Sequence, residues 1–83
     1  MHVSKSLFTR KHAQLRKLLT KARKDAKLTQ TALAERINRR QAYISRIERG
    51  ERRIDVVEFL ELAHALGINP TKFIADFERS VRD

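Results

Sequence analysis

The sequence predicts an all-α fold, a compact five-helix bundle, and three observations carry that expectation. Apolar residues recur at three- and four-residue steps through five separate stretches. Each stretch is bounded by residues that cap a helix or end one. No segment alternates with the period of two that a half-buried strand needs, and none is repeated. A chain of 83 residues, 41% of them hydrophobic, suits one small domain that buries roughly 60% of its unfolded surface.

The first helix is read from Leu15, Leu18, Leu19, Ala22 and Ala26, with cations on its other faces. Thr29 is a good N-cap for a short second helix with Leu33, Ala34 and Ile37 as its stripe. A third starts near Gln41, carries Ile44 and Ile47, and stops at Gly50, the residue that takes a left-handed backbone at least cost. Asp55 with Glu58 three residues later has the form of a capping box, and Val56, Phe59, Leu60, Ala63 and Leu66 run as the fourth apolar face up to Gly67. Asn69 and Pro70 are N-cap and N1 of a fifth helix with the stripe Phe73, Ile74, Phe77 and Val81. Residues 1–10 read as a basic arm and 11–83 as one domain, with Lys5, Arg10 and Lys11 placed to lie on a nucleic-acid backbone and Leu7 and Phe8 able to tuck under the core.

Composition narrows the function. With no cysteine there is no disulfide, thiolate ligand or cysteine nucleophile. No apolar run approaches the roughly 18 to 20 residues of a membrane span, and residues 1–10 lack the apolar stretch of a signal peptide, so a cytoplasmic location is expected. His2, His12 and His64 share no ligand-like spacing and read as surface residues, so neither a metal nor another cofactor is expected. No nucleophile elbow, Walker loop or pair of acids in an apolar setting appears, which argues against an enzyme. The formal charge of +9 is uneven: +8 over residues 1–27, +4 over 28–54 and −3 over 55–83. A basic front two thirds points to a polyanionic partner such as nucleic acid.

The stretch "AERINRRQAYISRIERG" sharpens that expectation, because it reads as two short helices joined by a three- or four-residue turn. On a helical wheel Ile44 and Ile47 point inward, while Gln41, Ala42, Ser45, Arg46 and Arg49 gather on the opposite side. Gln pairs bidentately with adenine and Arg with guanine, and small side chains admit a thymine methyl, so Gln41, Ala42, Ser45 and Arg46 are assigned to base edges in a major groove. Tyr43 falls on the flank of the inward face and reads as core or rim packing. Arg39 and Arg40 stand at the turn beside the groove, and with Arg49, Arg52 and Arg53 they are assigned to the DNA backbone.

These residues also resemble a family. "LTQTALAERINRRQAYISRIERGER" followed by "LELAHALGI" is similar to the lambda-repressor and Cro-like helix-turn-helix domains, the XRE family, from about Leu15 to Phe77. The resemblance rests on Thr29-Gln30, Leu33-Ala34, Ile37, the run Tyr43 to Glu48, Gly50, and Leu62-Ala63 with Ala65-Leu66-Gly67. It implies a recognition helix starting at Gln41, a phosphate held by Gln30, and an ion pair between Arg23 and Glu48. The wheel agrees with the pair, since it sets Glu48 at the edge of the inward face, where an unpaired carboxylate is costly. This chain departs from the family pattern at Asn38 and Lys27, where glycine is usual, at Arg39, where an apolar residue is usual, and at Arg40, where serine or threonine caps the recognition helix.

The expected function is sequence-specific binding of double-stranded DNA by a transcriptional regulator, a repressor. Two alternatives are an antitoxin that binds a toxin partner and represses its own operon, and a restriction-modification controller that both activates and represses. One short recognition helix gives limited affinity, so a homodimer on a near-palindromic operator is expected. Its contact is assigned to the fifth helix, through Phe73, Phe77 and above all Val81, a turn beyond the others.

Overall fold

The structure, a computed structural model, describes residues 9–82. Five helices make it up: α1 (Arg10–Asp25), α2 (Gln30–Arg36), α3 (Gln41–Glu48), α4 (Val56–Leu66) and α5 (Pro70–Val81). No strand occurs among the described residues. Four helices begin on a side-chain cap: Thr9, Thr29, Asp55 and Asn69 accept the backbone N–H of His12, Ala32, Glu58 and Lys72. At α4 the Glu58 carboxylate in turn accepts the Asp55 N–H at 3.0 Å, completing the capping box.

The Thr9 cap moves the first boundary. It nucleates α1 at Arg10, ahead of the first apolar residue of the stripe, so Arg10 and Lys11 belong to a helical turn and not to an arm. Lys5, Leu7 and Phe8 lie outside the described residues.

The C-termini of α1 to α4 share one device. In each, a left-handed residue (Lys27, φ 61°; Asn38, 57°; Gly50, 79°; Gly67, 72°) is followed by an N–H that reaches back five residues: Leu28 to Arg23, Arg39 to Ala34, Glu51 to Arg46 and Ile68 to Ala63, at 2.8 to 3.2 Å. This Schellman closure satisfies carbonyls that a helix end leaves open, and it turns the chain sharply enough for the next helix to pack back.

Leu19, Leu33, Ala34, Ile44, Ile47, Phe59, Leu62, Ala63 and Leu66 form one buried cluster drawn from α1 to α4, each larger side chain contributing about 1.5 to 3 kcal/mol of hydrophobic stabilisation. Helix α1 packs on α3 and α5, and α2 on α3 and α4, where the fully enclosed Ala34 and Ala63 allow close approach. Helix α5 closes the far side through Phe73, whose ring lies 5.4 Å from that of Phe59. The result holds α3 with one flank in the core and the other open.

Candidate nucleic-acid interface

The open flank of α3 carries the residues assigned to base reading. Gln41, Ala42 and Arg46 are exposed and Ser45 is half-buried, while Tyr43, Ile44 and Ile47 are buried. Arg49 and, across the turn, Arg39 and Arg40 are exposed at the two ends of this face. Arg40 is the N-cap of α3 but forms no side-chain cap bond, so the helix start gains nothing locally from it and its guanidinium faces outward.

Behind this face runs a chain of hydrogen bonds. The Arg23 guanidinium donates to both oxygens of Glu48, Nε to Oε2 at 2.7 Å and Nη2 to Oε1 at 3.0 Å, and through Nη1 to the Leu28 carbonyl at 2.9 Å. Glu48 Oε1 also accepts from Gln30 Nε2 at 2.8 Å, and Gln30 Oε1 accepts from Gln41 Nε2 at 2.6 Å. A buried arginine on α1 thus fixes a carboxylate on α3, which fixes the amide of Gln30 and, through it, the amide of Gln41. Gln41 keeps its carbonyl oxygen and a second N–H, the acceptor and donor that adenine requires in the major groove. Gln30, assigned to a phosphate, is engaged with both neighbours.

A second cluster surrounds Tyr43. The guanidinium carbons of Arg39 and Arg52 lie over its ring at 4.7 and 4.6 Å from the centroid. Arg52 also forks onto Glu58, Nη2 to Oε2 at 2.8 Å and Nη1 to Oε1 at 3.2 Å. This bond and the Asp55 N–H hold the Glu58 carboxyl down to about 2. The Tyr43 hydroxyl is enclosed close to the Glu58 carboxylate, and burial, aided by the charge on Glu58, raises its pKa. Arg52, assigned from sequence to a phosphate, is therefore paired inside the protein. The Glu58 capping role is visible in the sequence, but its second bond, six residues back across a loop, has no periodic signature. Arg49 makes an exposed pair with Glu51 at 3.2 Å. The guanidinium of Arg16 rests against Gly50, where an added Cβ would meet its Cζ at 2.8 Å, and donates to His12 Nδ1 at 2.8 Å. His12 is thus a half-buried acceptor and not a plain surface residue; Arg53 supplies some of the positive field around it.

The apolar surface offered to a partner differs from the one assigned. Val81 is 7% exposed within one chain, and Phe73 packs against Phe59, so neither stands free for a second copy. The helix is amphipathic enough to seat its last turn, which ends the stripe inside the fold. Val56 (74% exposed), Val57, Leu60 and Ile74 are open instead, and Val56, Leu60, Ile74 and the half-buried Phe77 line a groove between α4 and α5. No described helix is long and apolar enough to cross a membrane.

Two helices joined by a Schellman turn, the second presenting a mixed polar face locked from behind, define a helix-turn-helix protein. The helix-turn-helix family model matches residues 19–73. An XRE-family like protein from Pseudomonas syringae pv. tomato str. DC3000 is 34% identical over 93% of this chain and 94% of that one, with a TM-score of 0.84. The chain belongs to the XRE family of lambda-repressor and Cro-like helix-turn-helix proteins, DNA-binding regulators of transcription. It is also similar to the restriction-modification controller protein C.AhdI from Aeromonas hydrophila, 31% identical over 75% of this chain and 90% of that one at a TM-score of 0.69. A mutant of the controller protein C.Esp1396I shares the fold, with a TM-score of 0.81 at 23% identity over 90% of this chain and 100% of that one. No curated protein matches the chain in sequence.

Proposed function

We propose that the protein represses transcription by binding a near-palindromic duplex operator as a homodimer, with Gln41, Ala42, Ser45 and Arg46 on base edges in the major groove. The observation that carries this reading is the locked amide chain from Glu48 through Gln30 to Gln41, which presents a base-reading group in one orientation before DNA arrives. Arg39, Arg40, Arg49 and Arg53, with the remaining donor of Gln30, supply phosphate contacts that set the register. Half-sites about 34 Å apart suit two copies, and the exposed face of Val56, Val57, Leu60 and Ile74 is the surface on which they meet.

Selection of bound fragments from random duplex DNA tests the reading. A two-fold symmetric site is expected. Gln41→Ala and Arg46→Ala each lose about 1 to 3 kcal/mol on that site and relax preference at separate base pairs. Variants that keep the parent's site and affinity remove α3 from the role of reader. The likeness to C.AhdI favours a second reading, a restriction-modification controller, which a promoter assay distinguishes by activation as well as repression.

A further inference from the structure

Three charged groups crowd around the Tyr43 ring. Arg39 and Arg52 are both within 4.7 Å of its centroid, so their guanidinium carbons are no more than about 9 Å apart. That is about one Debye length at physiological salt, so a phosphate drawn to one also feels the other. The third group is Glu58, and it takes a side: both its oxygens hold Arg52, while Arg39 pairs with no carboxylate among the described residues. The Glu58 side chain is itself fixed by the Asp55 N–H at the start of α4, so the arrangement does not depend on Arg52 alone.

We propose that Glu58 is a positioning residue that sets how many phosphates this corner can hold: by forking onto Arg52 it withholds that cation from the DNA backbone and leaves Arg39 as the phosphate ligand at this corner of the recognition helix. Phosphate contacts strengthen binding to every sequence alike, so withholding one loosens a chain of charge +9 from all duplexes together and makes its grip less dependent on salt. Glu58 touches no base in this account. It acts through Arg52 and is a positioning residue, and the proposal rests on the DNA-binding reading above.

Glu58→Gln is the informative variant, because glutamine preserves the capping box and the shape while removing the charge. Binding is measured against salt on the selected duplex and on a scrambled duplex, with circular dichroism melts to establish that each variant folds. For Glu58→Gln the log–log salt slope steepens by about 0.9 on both duplexes alike, which is roughly a threefold greater loss of affinity between 50 and 200 mM salt. In the double variant Arg52→Gln/Glu58→Gln the slope returns to the parent's, and in Arg39→Ala it is shallower by about 0.9. A merely structural role for Glu58 lowers the melting temperature without moving the slope. A parent-like slope in Glu58→Gln, or a double variant about 0.9 shallower than the parent, overturns the proposal; the latter places Arg52 on a phosphate already. If the parent binds neither duplex, the DNA-binding reading itself fails, an outcome distinct from parent binding with unmoved slopes.

Discussion

Arg23–Glu48 and Arg52–Glu58 are both forked guanidinium–carboxylate pairs, with closest contacts of 2.7 and 2.8 Å, and both sit beside the recognition helix. They differ in their access to water. The side chains of the first pair are each 11% exposed, and Arg23 and Glu48 spend further bonding capacity on the Leu28 carbonyl and Gln30. In the second pair Arg52 is 36% exposed against 13% for Glu58, and the guanidinium is shared with an aromatic ring. The same chemistry therefore has different consequences. Where water is excluded, either charge left alone is costly, and the pair acts as a structural joint between α1 and α3. Where water reaches one member, the pair contributes less to folding than a fully enclosed one and can be altered without loss of the fold, which suits a device that adjusts surface charge.

The largest expected effect breaks the buried joint. Arg23→Ala or Glu48→Ala leaves its partner buried without a counter-charge and destabilises folding by about 3 to 5 kcal/mol, enough to unfold a marginal domain of this size. The double variant Arg23→Met/Glu48→Leu loses much less than the two single losses added together. Chemical denaturation of the three variants measures this. Additive losses would mean that the two residues are not coupled and that the contrast between the pairs is false. Glu48→Ala also frees the Gln30 amide, so any folded fraction should lose discrimination at the base pair proposed for Gln41.

The outer pair gives a smaller effect with a distinct pH signature. Removal of either member costs less than breaking the buried joint, about 1 to 3 kcal/mol at neutral pH, because water screens the Arg52 end while the Glu58 carboxyl is largely enclosed. The Glu58 carboxyl is held well below its ordinary value of 4.5, to about 2, first by the Arg52 hydrogen bond and then by the Asp55 N–H. A depressed acid contributes stability that is complete above the unfolded value and lost as pH falls toward the folded one. Stability should thus decline between about pH 4.5 and 2, and the decline should be shallower in Glu58→Gln. An unchanged acid limb in the variant would show that Glu58 titrates the same folded or unfolded.

The two pairs also mark how far a sequence can be read. Arg23–Glu48 was legible because family resemblance and the helical wheel both placed Glu48 on the inward edge of α3. Arg52–Glu58 was not, since its partners are joined through an irregular loop where no period fixes the side-chain direction. The five helices followed from stripes and caps, but α1 starts at Arg10 because Thr9 caps it ahead of any apolar signal. Of the four Schellman turns, those at Gly50 and Gly67 announce themselves, whereas Lys27 adopts φ 61° with a side chain that gives no local sign of it, and only the family's usual glycine marks the position. There the hydrogen bonds of the turn outweigh a left-handed cost of about 1 kcal/mol. The fifth helix was read with the right stripe and the wrong outlet: burial of Val81 and exposure of Val56 are decided by how α4 and α5 cross, which one-dimensional spacing does not encode.

His12 and Arg16 form a third guanidinium contact, this time to a neutral acceptor, and it yields the smallest effect. Arg16 Nη1 donates to His12 Nδ1 at 2.8 Å, a bond that exists only while that nitrogen keeps its lone pair. Burial, then the Arg16 and Arg53 charges, lower the histidine pKa below 6.5. The unfolded chain therefore takes up a proton at a pH where the folded one does not. The stability this supplies is complete above 6.5 and falls as pH drops through that value toward the folded pKa. Because the ring is half-exposed, the change is well under about 1 kcal/mol. Denaturation midpoints at pH 7.5 and pH 5.0 should show the parent losing stability at the lower value. His12→Gln, whose side-chain oxygen can accept the same bond without titrating, should lose less over that interval. Carboxylates are largely ionised throughout this window, and His64 is common to both proteins, so the difference between them isolates His12. Equal losses in parent and variant would mean that the ring titrates as it does in the unfolded chain and that Arg16 is held against Gly50 by packing alone.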